Sequence, residues 1–433
     1  MSTNEASTSQ NFMDRFADTV VRLSAPLAKL AQLPFMRAVQ HGFAATLPIL
    51  MFGSVFLIVQ SAVTGNLGFT IFPSLAQYSS KILVPYQMAS GFLGFYACVA
   101  IGIAYAENLG IENRVSAALI ILSFFFFINY DGTAEGLTDL TAFSSSGAFA
   151  AMVTAFLSIR MYKFFIDKNI TIKLPDVVPP MIANAFTDLI PTFVILGFAW
   201  TVRTALGFNF TNFVLTCLTP ILKFGDSGVA YTLNAVCSGV FWSVGIHWEN
   251  MASGIVTPLC TTLLAENQAA FAAGTALKDL PHIWAQGANM MSRACTNYPM
   301  LVYLLRSKVP GFKELGRAAT IPVLFCVCEP LTFGVPVVMN PYMMIPLILT
   351  NLTYAVVTWG AYSLKLVNRV YASAPWASPT VLNMYLSTGD WHMVFVIALI
   401  FVLGMIIYYP FFKAYEKHTL EEIAKREAEA SVE

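Results

Sequence analysis

Glu329 follows the apolar run Phe325-Cys326-Val327-Cys328 and immediately precedes Pro330. An ionisable group at the tip of such a run is costly in a low-dielectric surrounding, so it must face a cavity or a partner. A carboxylate there accepts hydrogen bonds from hydroxyls, or acts as a general base when burial raises its pKa. The plainer role is that of a structural carboxylate at a helix end. His247 closes a second apolar run, Phe241-Trp242-Ser243-Val244-Gly245-Ile246. A neutral imidazole offers one donor and one acceptor, which suits a sugar hydroxyl that is both; taken alone, the same histidine reads as a polar helix cap. Glu249 and Asn250 follow closely enough to share a site or to hold the imidazole. Trp376, in Ala374-Pro375-Trp376-Ala377-Ser378-Pro379, offers an aromatic face for a sugar ring, with an interfacial belt position as the alternative. Asn184 places an amide early in the apolar stretch after Pro179-Pro180. No spacing among the five histidines suits a metal ion, and nothing calls for a cofactor.

The elements that must hold these groups follow from composition. Charged residues make up 11% of the 433-residue chain and hydrophobic residues 57%, with 24 Lys+Arg against 24 Asp+Glu. An ordinary soluble domain carries roughly 25% charged residues. This shortage excludes a conventional soluble enzyme, a disordered chain and a basic nucleic-acid binder, and makes lipid the surrounding solvent. The seven cysteines are odd in number and scattered through apolar runs, so they form no disulfide framework. The sequence has no G-x-x-x-x-G-K-[ST], G-x-S-x-G or H-E-x-x-H, hence no nucleotide motor or hydrolase signature.

The first ten residues are polar and lack the pattern of a cleavable signal peptide. Residues 11–32 read as an amphipathic interfacial helix, with Phe12, Phe16, Val20, Leu23, Leu27 and Leu30 at helical spacing. About ten apolar runs long enough to cross a bilayer follow, near 36–63, 88–107, 114–130, 147–167, 181–206, 228–246, 283–305, 315–330, 342–364 and 391–413. A charged helical tail is expected beyond Phe412. The fold expected is an all-α polytopic membrane protein. Its parts are an N-terminal segment 1–32, a scaffold half 33–210, a substrate half 211–413 and a tail 414–433. Residues 247–281 look too polar and interrupted to span, and the prolines of 329–341 break any continuous helix. Such breaks are tolerated at membrane depth only where they line a cavity or lie inside protein, and they point to a transport site.

Loop charges put both termini inside: Arg15, Arg22, Lys29 and Arg37 precede the first span, and Arg160, Lys163, Lys168 and Lys173 cluster before the fifth. Arg306, Lys308, Lys313 and Arg317 would then fall outside. Either the rule fails there or a nearby segment is re-entrant.

The chain resembles the membrane (IIC) component of the bacterial sugar phosphotransferase system, in its lactose/cellobiose/diacetylchitobiose family. The resemblance covers roughly residues 12–415. It rests on His41-Gly42-Phe43-Ala44-Ala45-Thr46-Leu47-Pro48, Val178-Pro179-Pro180, Gly245-Ile246-His247, Glu329-Pro330-Leu331-Thr332-Phe333-Gly334-Val335-Pro336 with Asn340-Pro341, and Ala374 to Pro379. It implies an inner-membrane homodimer with ten membrane helices, two re-entrant hairpins and amphipathic helices, embedded in lipid. It implies that the first five helices build the dimer interface and the last five carry the sugar. It further implies phosphorylation of the sugar by a phosphocysteine on a separate IIB protein, itself supplied by IIA. By this likeness His247 and Glu329 bind the hydroxyl that becomes phosphorylated, and Asn184 and Trp376 hold the sugar. The sequence departs from the family where small residues are usual, at Trp248-Glu249-Asn250 and at Met290-Met291-Ser292-Arg293. Arg293 is expected to be a buried or cavity-facing charge with Glu249 as its counter-charge, reshaping the pocket. An ion-coupled sugar transporter and a membrane sugar sensor are the other readings.

Overall fold

Helices are the one kind of regular element among the described residues, with no strand. The structure, a computed structural model, describes residues 29–65, 70, 73–130, 132–133, 141–144, 147–175, 177–335, 337 and 340–430, together with Arg15, Thr19, Arg22 and Pro26. Of the apolar face expected on 11–32, Phe12, Phe16, Val20, Leu23 and Leu27 lie outside them and Leu30 is exposed; Asp131, Glu135 and Asp139 also lie outside them. Among the described residues, six helical stretches are long and apolar enough to cross a membrane: Pro34–Thr64, Pro73–Asn108, Ala148–Asp167, Ile182–Ala205, Tyr342–Ser363 and Met393–Glu429. The other four expected runs also fall on helices, but these are shorter or more polar.

The chain divides into two compact units. The first spans Ala28–Phe224 with Ala252–Ala269. It contains α1 (Pro34–Thr64), α2 (Val84–Ser90), α3 (Leu93–Asn108), α4 (Arg114–Asn129), α5 (Ala148–Asp167), α6 (Pro180–Thr187), α7 (Leu189–Trp200) and α8 (Phe210–Gly225). α1 begins with Pro34 in its first turn, where the missing N–H costs nothing. It packs on α3 so closely that a Cβ on Gly42 would lie 2.7 Å from the backbone nitrogen of Ile101. Small residues at such contacts let helices gain dispersion energy where lipid supplies no hydrophobic drive. Val39, Phe43, Ala97, Cys98, Ile101, Ile121 and Ala151 form its buried core.

The expected span at 181–206 is not one straight helix. α6 and α7 meet at Asp188, and α7 runs into a π-helical turn at Thr201–Ala205. Asp188 is buried and accepts hydrogen bonds from the Tyr162 hydroxyl (2.5 Å) and the Asn113 side-chain amide (2.7 Å). Two good donors offset the cost of burying this carboxylate. Replacing it by leucine strands both donors. Asp188→Leu is expected to cost about 3 kcal/mol, read as a lower thermal unfolding midpoint in detergent, with Asp188→Asn losing clearly less.

The second unit is built mainly from Gly225–Met251 and Ala270–Glu433. α9 (Gly228–Ser243) leads to α10 (Trp248–Ala272), whose segment Ala252–Ala269 belongs to the first unit. The interruption expected within 247–281 is therefore corrected over 248–272, where a 25-residue helix runs through Pro258. Packing explains it. Leu263, Leu264, Ala265, Asn267 and Gln268 are all buried, and the Gln268 amide donates to the Ser54 hydroxyl at 3.0 Å. Tertiary burial stabilises the helix against one lost backbone bond.

α11 (Ser292–Leu305), α12 (Phe312–Leu324), α13 (Glu329–Gly334), α14 (Pro341–Ser363), α15 (Thr380–Thr388) and α16 (Met393–Ala430) complete this unit. Its core joins Met300, Leu304, Ala319, Val323, Leu331, Met343, Tyr408 and Phe412. The chain breaks where the prolines stand, with non-helical backbone between α12 and α13 and again before α14, and 371–379 is non-helical as well. Beyond Phe412 the helix continues without a break to Ala430; Tyr415 and Glu416 on its first turns are buried, while Lys413, Lys417 and His418 stay exposed. Glu416 is buried and accepts from the Ser307 hydroxyl (2.7 Å), the Lys308 backbone N–H (2.8 Å) and Lys413 (2.6 Å). The basic turn between α11 and α12 thus sits against the last helix, at the same end of this unit as the charged tail.

Candidate functional site

Local backbone chemistry places His247. α9 ends with Gly245 at φ +81°, its N–H bonded to the Trp242 carbonyl (3.1 Å) and the Ile246 N–H to the Phe241 carbonyl (2.9 Å). This is the glycine-closed helix end in which the left-handed residue turns the chain away. His247 follows directly and α10 starts one residue later. The imidazole packs on Trp242, ring centroids 4.5 Å apart, and its Nδ1 lies 3.3 Å from Glu249 Oε2.

Glu249 gathers the end of α9 around itself. It accepts from the Ser238 hydroxyl (2.6 Å) and from the Trp242 indole N–H (2.7 Å). Trp248 stacks on Phe241 at 5.0 Å and donates its indole N–H to Asn234 (2.9 Å). The departure from small residues at 248–249 therefore has a visible purpose: it locks the turn that carries His247. The His247 and Glu249 side chains remain 40% and 55% exposed, so their contact adds little stability and both stay accessible to a ligand.

The expected pairing of Glu249 with Arg293 is not what forms. Glu249 takes its partners from α9 and His247. The Arg293 guanidinium contacts the Met290 sulfur at 3.6 Å, and its Nε is buried without a hydrogen-bond partner. Three groups nearer in sequence, on Ser238, Trp242 and His247, already engage the carboxylate. The two charges still share a neighbour, because the Tyr354 phenol on α14 feels both.

A second closure precedes Glu329. Cys326 takes φ +68° at the end of α12, with its N–H bonded to the Val323 carbonyl and the Val327 N–H to the Pro322 carbonyl. This is the glycine-type helix end carried by a cysteine, at some cost in backbone strain. The Cys326 thiol donates to the Ser378 carbonyl (3.2 Å) and feels the charge of Arg293. Tyr298 on α11 hydrogen-bonds the Thr380 hydroxyl (2.8 Å). The break before Glu329, the 374–380 segment that carries Trp376, and α11 are thereby tied together in one unit. Trp376 is 61% exposed, as a stacking surface requires. Glu329 opens α13 and Asn250 lies in the first turn of α10; their side chains lie outside the described residues. Asn184 is exposed on α6 and belongs to the first unit.

Several buried or paired polar groups went unmarked in the sequence. Asp226 accepts from the backbone N–H groups of Ile283 and Trp284 and sits 2.9 Å from His282 Nδ1, fixing the unwound stretch before α11. Asp390 holds His392 at 2.8 Å and caps the Asn368 N–H. Outside the spans, Lys365 holds the Asp279 carboxyl below its usual range. Among the described residues no cluster of His, Cys, Asp or Glu could hold a metal ion. An apolar pocket of about 470 Å³ in the first unit, lined by Phe124, Phe198, Phe208 and Phe210 among others, offers a sugar no polar partner.

Comparison with known proteins agrees with this architecture. The family model for the phosphotransferase system, EIIC, matches residues 40–350. The cellobiose-specific EIIC component of Geobacillus stearothermophilus is 30% identical, covering 95% of this chain and 96% of that protein. The lichenan permease IIC component of Bacillus subtilis is 28% identical over 92% of this chain and 93% of its own length. The lactose-specific EIICB component of Staphylococcus haemolyticus is 29% identical, covering 91% of this chain and 69% of that protein. Among solved structures, the transporter ChbC, the IIC component of the N,N'-diacetylchitobiose-specific system, superposes with a TM-score of 0.84 at 26% identity, covering 94% of this chain and 99% of its own. With the broken-helix unit, the family model and the shared fold in agreement, the chain belongs to the phosphotransferase system EIIC family.

Proposed function

We propose that this protein is the membrane permease of a bacterial sugar phosphotransferase system, moving a β-linked disaccharide of the cellobiose, lactose or diacetylchitobiose class across the cytoplasmic membrane. The observation that carries this reading is the likeness to ChbC over 94% of the chain, joined to a site whose groups suit a neutral sugar: an imidazole, carboxylates and an exposed tryptophan. His247 and Glu329 bind the hydroxyl that is phosphorylated, with Glu249 orienting His247. Trp376, Asn184 and Asn250 hold the rest of the sugar. The phosphoryl group comes from a phosphorylated IIB protein, fed by IIA; the relatives named EIICB support such a partner. The working assembly is a homodimer in lipid, with 33–210 as scaffold and 211–413 as the sugar-carrying half. Titration of the purified protein with cellobiose, lactose and diacetylchitobiose tests the substrate class. Saturable binding of at least one supports it, and no binding of any removes it.

Both termini are cytoplasmic in this reading. The contacts of Ser307 and Lys308 with Glu416 support it, because they set the basic turn 306–317 beside the tail. That cluster then obeys the positive-inside rule instead of violating it. In spheroplasts carrying a single engineered cysteine, Lys313→Cys and Lys417→Cys are both expected to resist a membrane-impermeant maleimide until the membrane is opened. Labelling of either from outside overturns the orientation.

A further inference from the structure

Arg293 stands in the first turn of α11, half-buried, in the unit that holds His247 and Glu249. A guanidinium keeps its charge and offers five donors in a fixed fork. Among the described residues no carboxylate lies within ion-pair distance of it. Among the described residues its polar contact is the weak Met290 sulfur at 3.6 Å, and its buried Nε has no partner. Its charge is felt by the Cys326 thiol, three residues before Glu329, and by Tyr354, which also feels Glu249. Cys326 is bonded to Ser378, two residues from Trp376, and Tyr298 further along α11 is bonded to Thr380.

Arg293 therefore shares its unit with the segments that carry the proposed sugar-binding groups, and among the described residues no carboxylate neutralises it. Removing a charge from water without an internal counter-charge is costly, and that cost is recovered when an anion binds. A neutral disaccharide supplies no anion. A phosphoryl group placed on it does, and a guanidinium fork matches two phosphate oxygens.

We propose that Arg293 is the phosphoryl-recognising residue of the site, binding the phosphate monoester once it is on the sugar. This rests on the reading of the chain as a permease whose sugar is phosphorylated. Arg293 so distinguishes product from substrate and acts on charge, while His247 and Trp376 act on the sugar.

The test compares wild type, Arg293→Gln and Arg293→Lys in detergent, each shown to be folded by its size-exclusion profile. The probes are cellobiose, cellobiose 6'-phosphate and inorganic phosphate, followed by calorimetry and thermal shift. The preference for cellobiose 6'-phosphate over cellobiose is expected to fall about tenfold in Arg293→Gln and less in Arg293→Lys, which keeps the charge but loses the fork. Using the ratio of the two affinities cancels any general damage to the pocket. An equal ratio in wild type and Arg293→Gln overturns the proposal, as does a wild type that responds to neither phosphate compound. If cellobiose and its phosphate bind none of the three proteins while inorganic phosphate stabilises wild type and not Arg293→Gln, Arg293 keeps its role and the disaccharide reading fails.

Discussion

Glu329→Gln is expected to lower phosphorylation-coupled uptake by about 100-fold or more, the usual size of a general-base contribution. The attacking sugar hydroxyl must lose its proton as the phosphoryl group arrives, and phosphoryl transfer otherwise needs mainly positioning and charge management. A carboxylate accepts that proton; an amide of the same shape does not. The fold is expected to survive. The start of α13 is held by backbone bonds, from the Leu331 and Thr332 N–H groups to the Cys328 carbonyl at 3.0 and 3.1 Å, which do not involve the Glu329 side chain. Free-sugar binding in Glu329→Gln is expected to weaken by about tenfold at most, because glutamine still accepts a hydrogen bond. Uptake by membrane vesicles and sugar binding by the purified variant separate the two effects. Full activity in Glu329→Gln removes this residue from the mechanism.

Glu249→Gln is expected to reduce uptake by about 10- to 100-fold although it preserves side-chain size. Glu249 can only accept, so a favourable contact with His247 at 3.3 Å requires the proton on Nδ1. In the neutral ring Nε2 is then the acceptor nitrogen. Glutamine can donate its amide N–H to Nδ1 instead, moving the proton to Nε2 and turning the acceptor into a donor. The Trp242 and Ser238 bonds also lose their charge-assisted acceptor. Glu249→Asp keeps the charge but shortens the reach, and it should recover part of the activity. Imidazole nitrogen shifts in labelled protein report the tautomer directly. Unchanged uptake and an unchanged tautomer in Glu249→Gln would show that Glu249 serves only to tie α9 to α10.

The membrane fold and the helix break ahead of Glu329 were legible because apolar length and proline breaks are local properties. The runs at 36–63, 342–364 and 391–413 needed no tertiary knowledge, nor did the break between Phe325 and Pro341, where three prolines and a glycine leave no continuous ladder. The structure adds what packing decides. α10 runs through Pro258 and several polar residues because its partners bury them, and a hydropathy reading cannot see partners. Asp188 stands inside an apolar run; its hydrogen-bond donors, Tyr162 and Asn113, are remote in sequence. The placing of the 306–317 cluster rested on counting crossings, whereas one buried carboxylate, Glu416, fixes it beside the tail. Glu249 was read as a counter-charge to Arg293 from charge alone, and its nearer donors on α9 took precedence.

The most direct test of the central claim is uptake of labelled cellobiose into inside-defined vesicles containing the purified protein, with and without phosphorylated IIB on the inner side. The prediction is sugar phosphate inside the vesicles only when the phosphorylated donor is present, and none with Glu329→Gln. Accumulation of unmodified sugar driven by an ion gradient, in the absence of any phosphoryl donor, would contradict it.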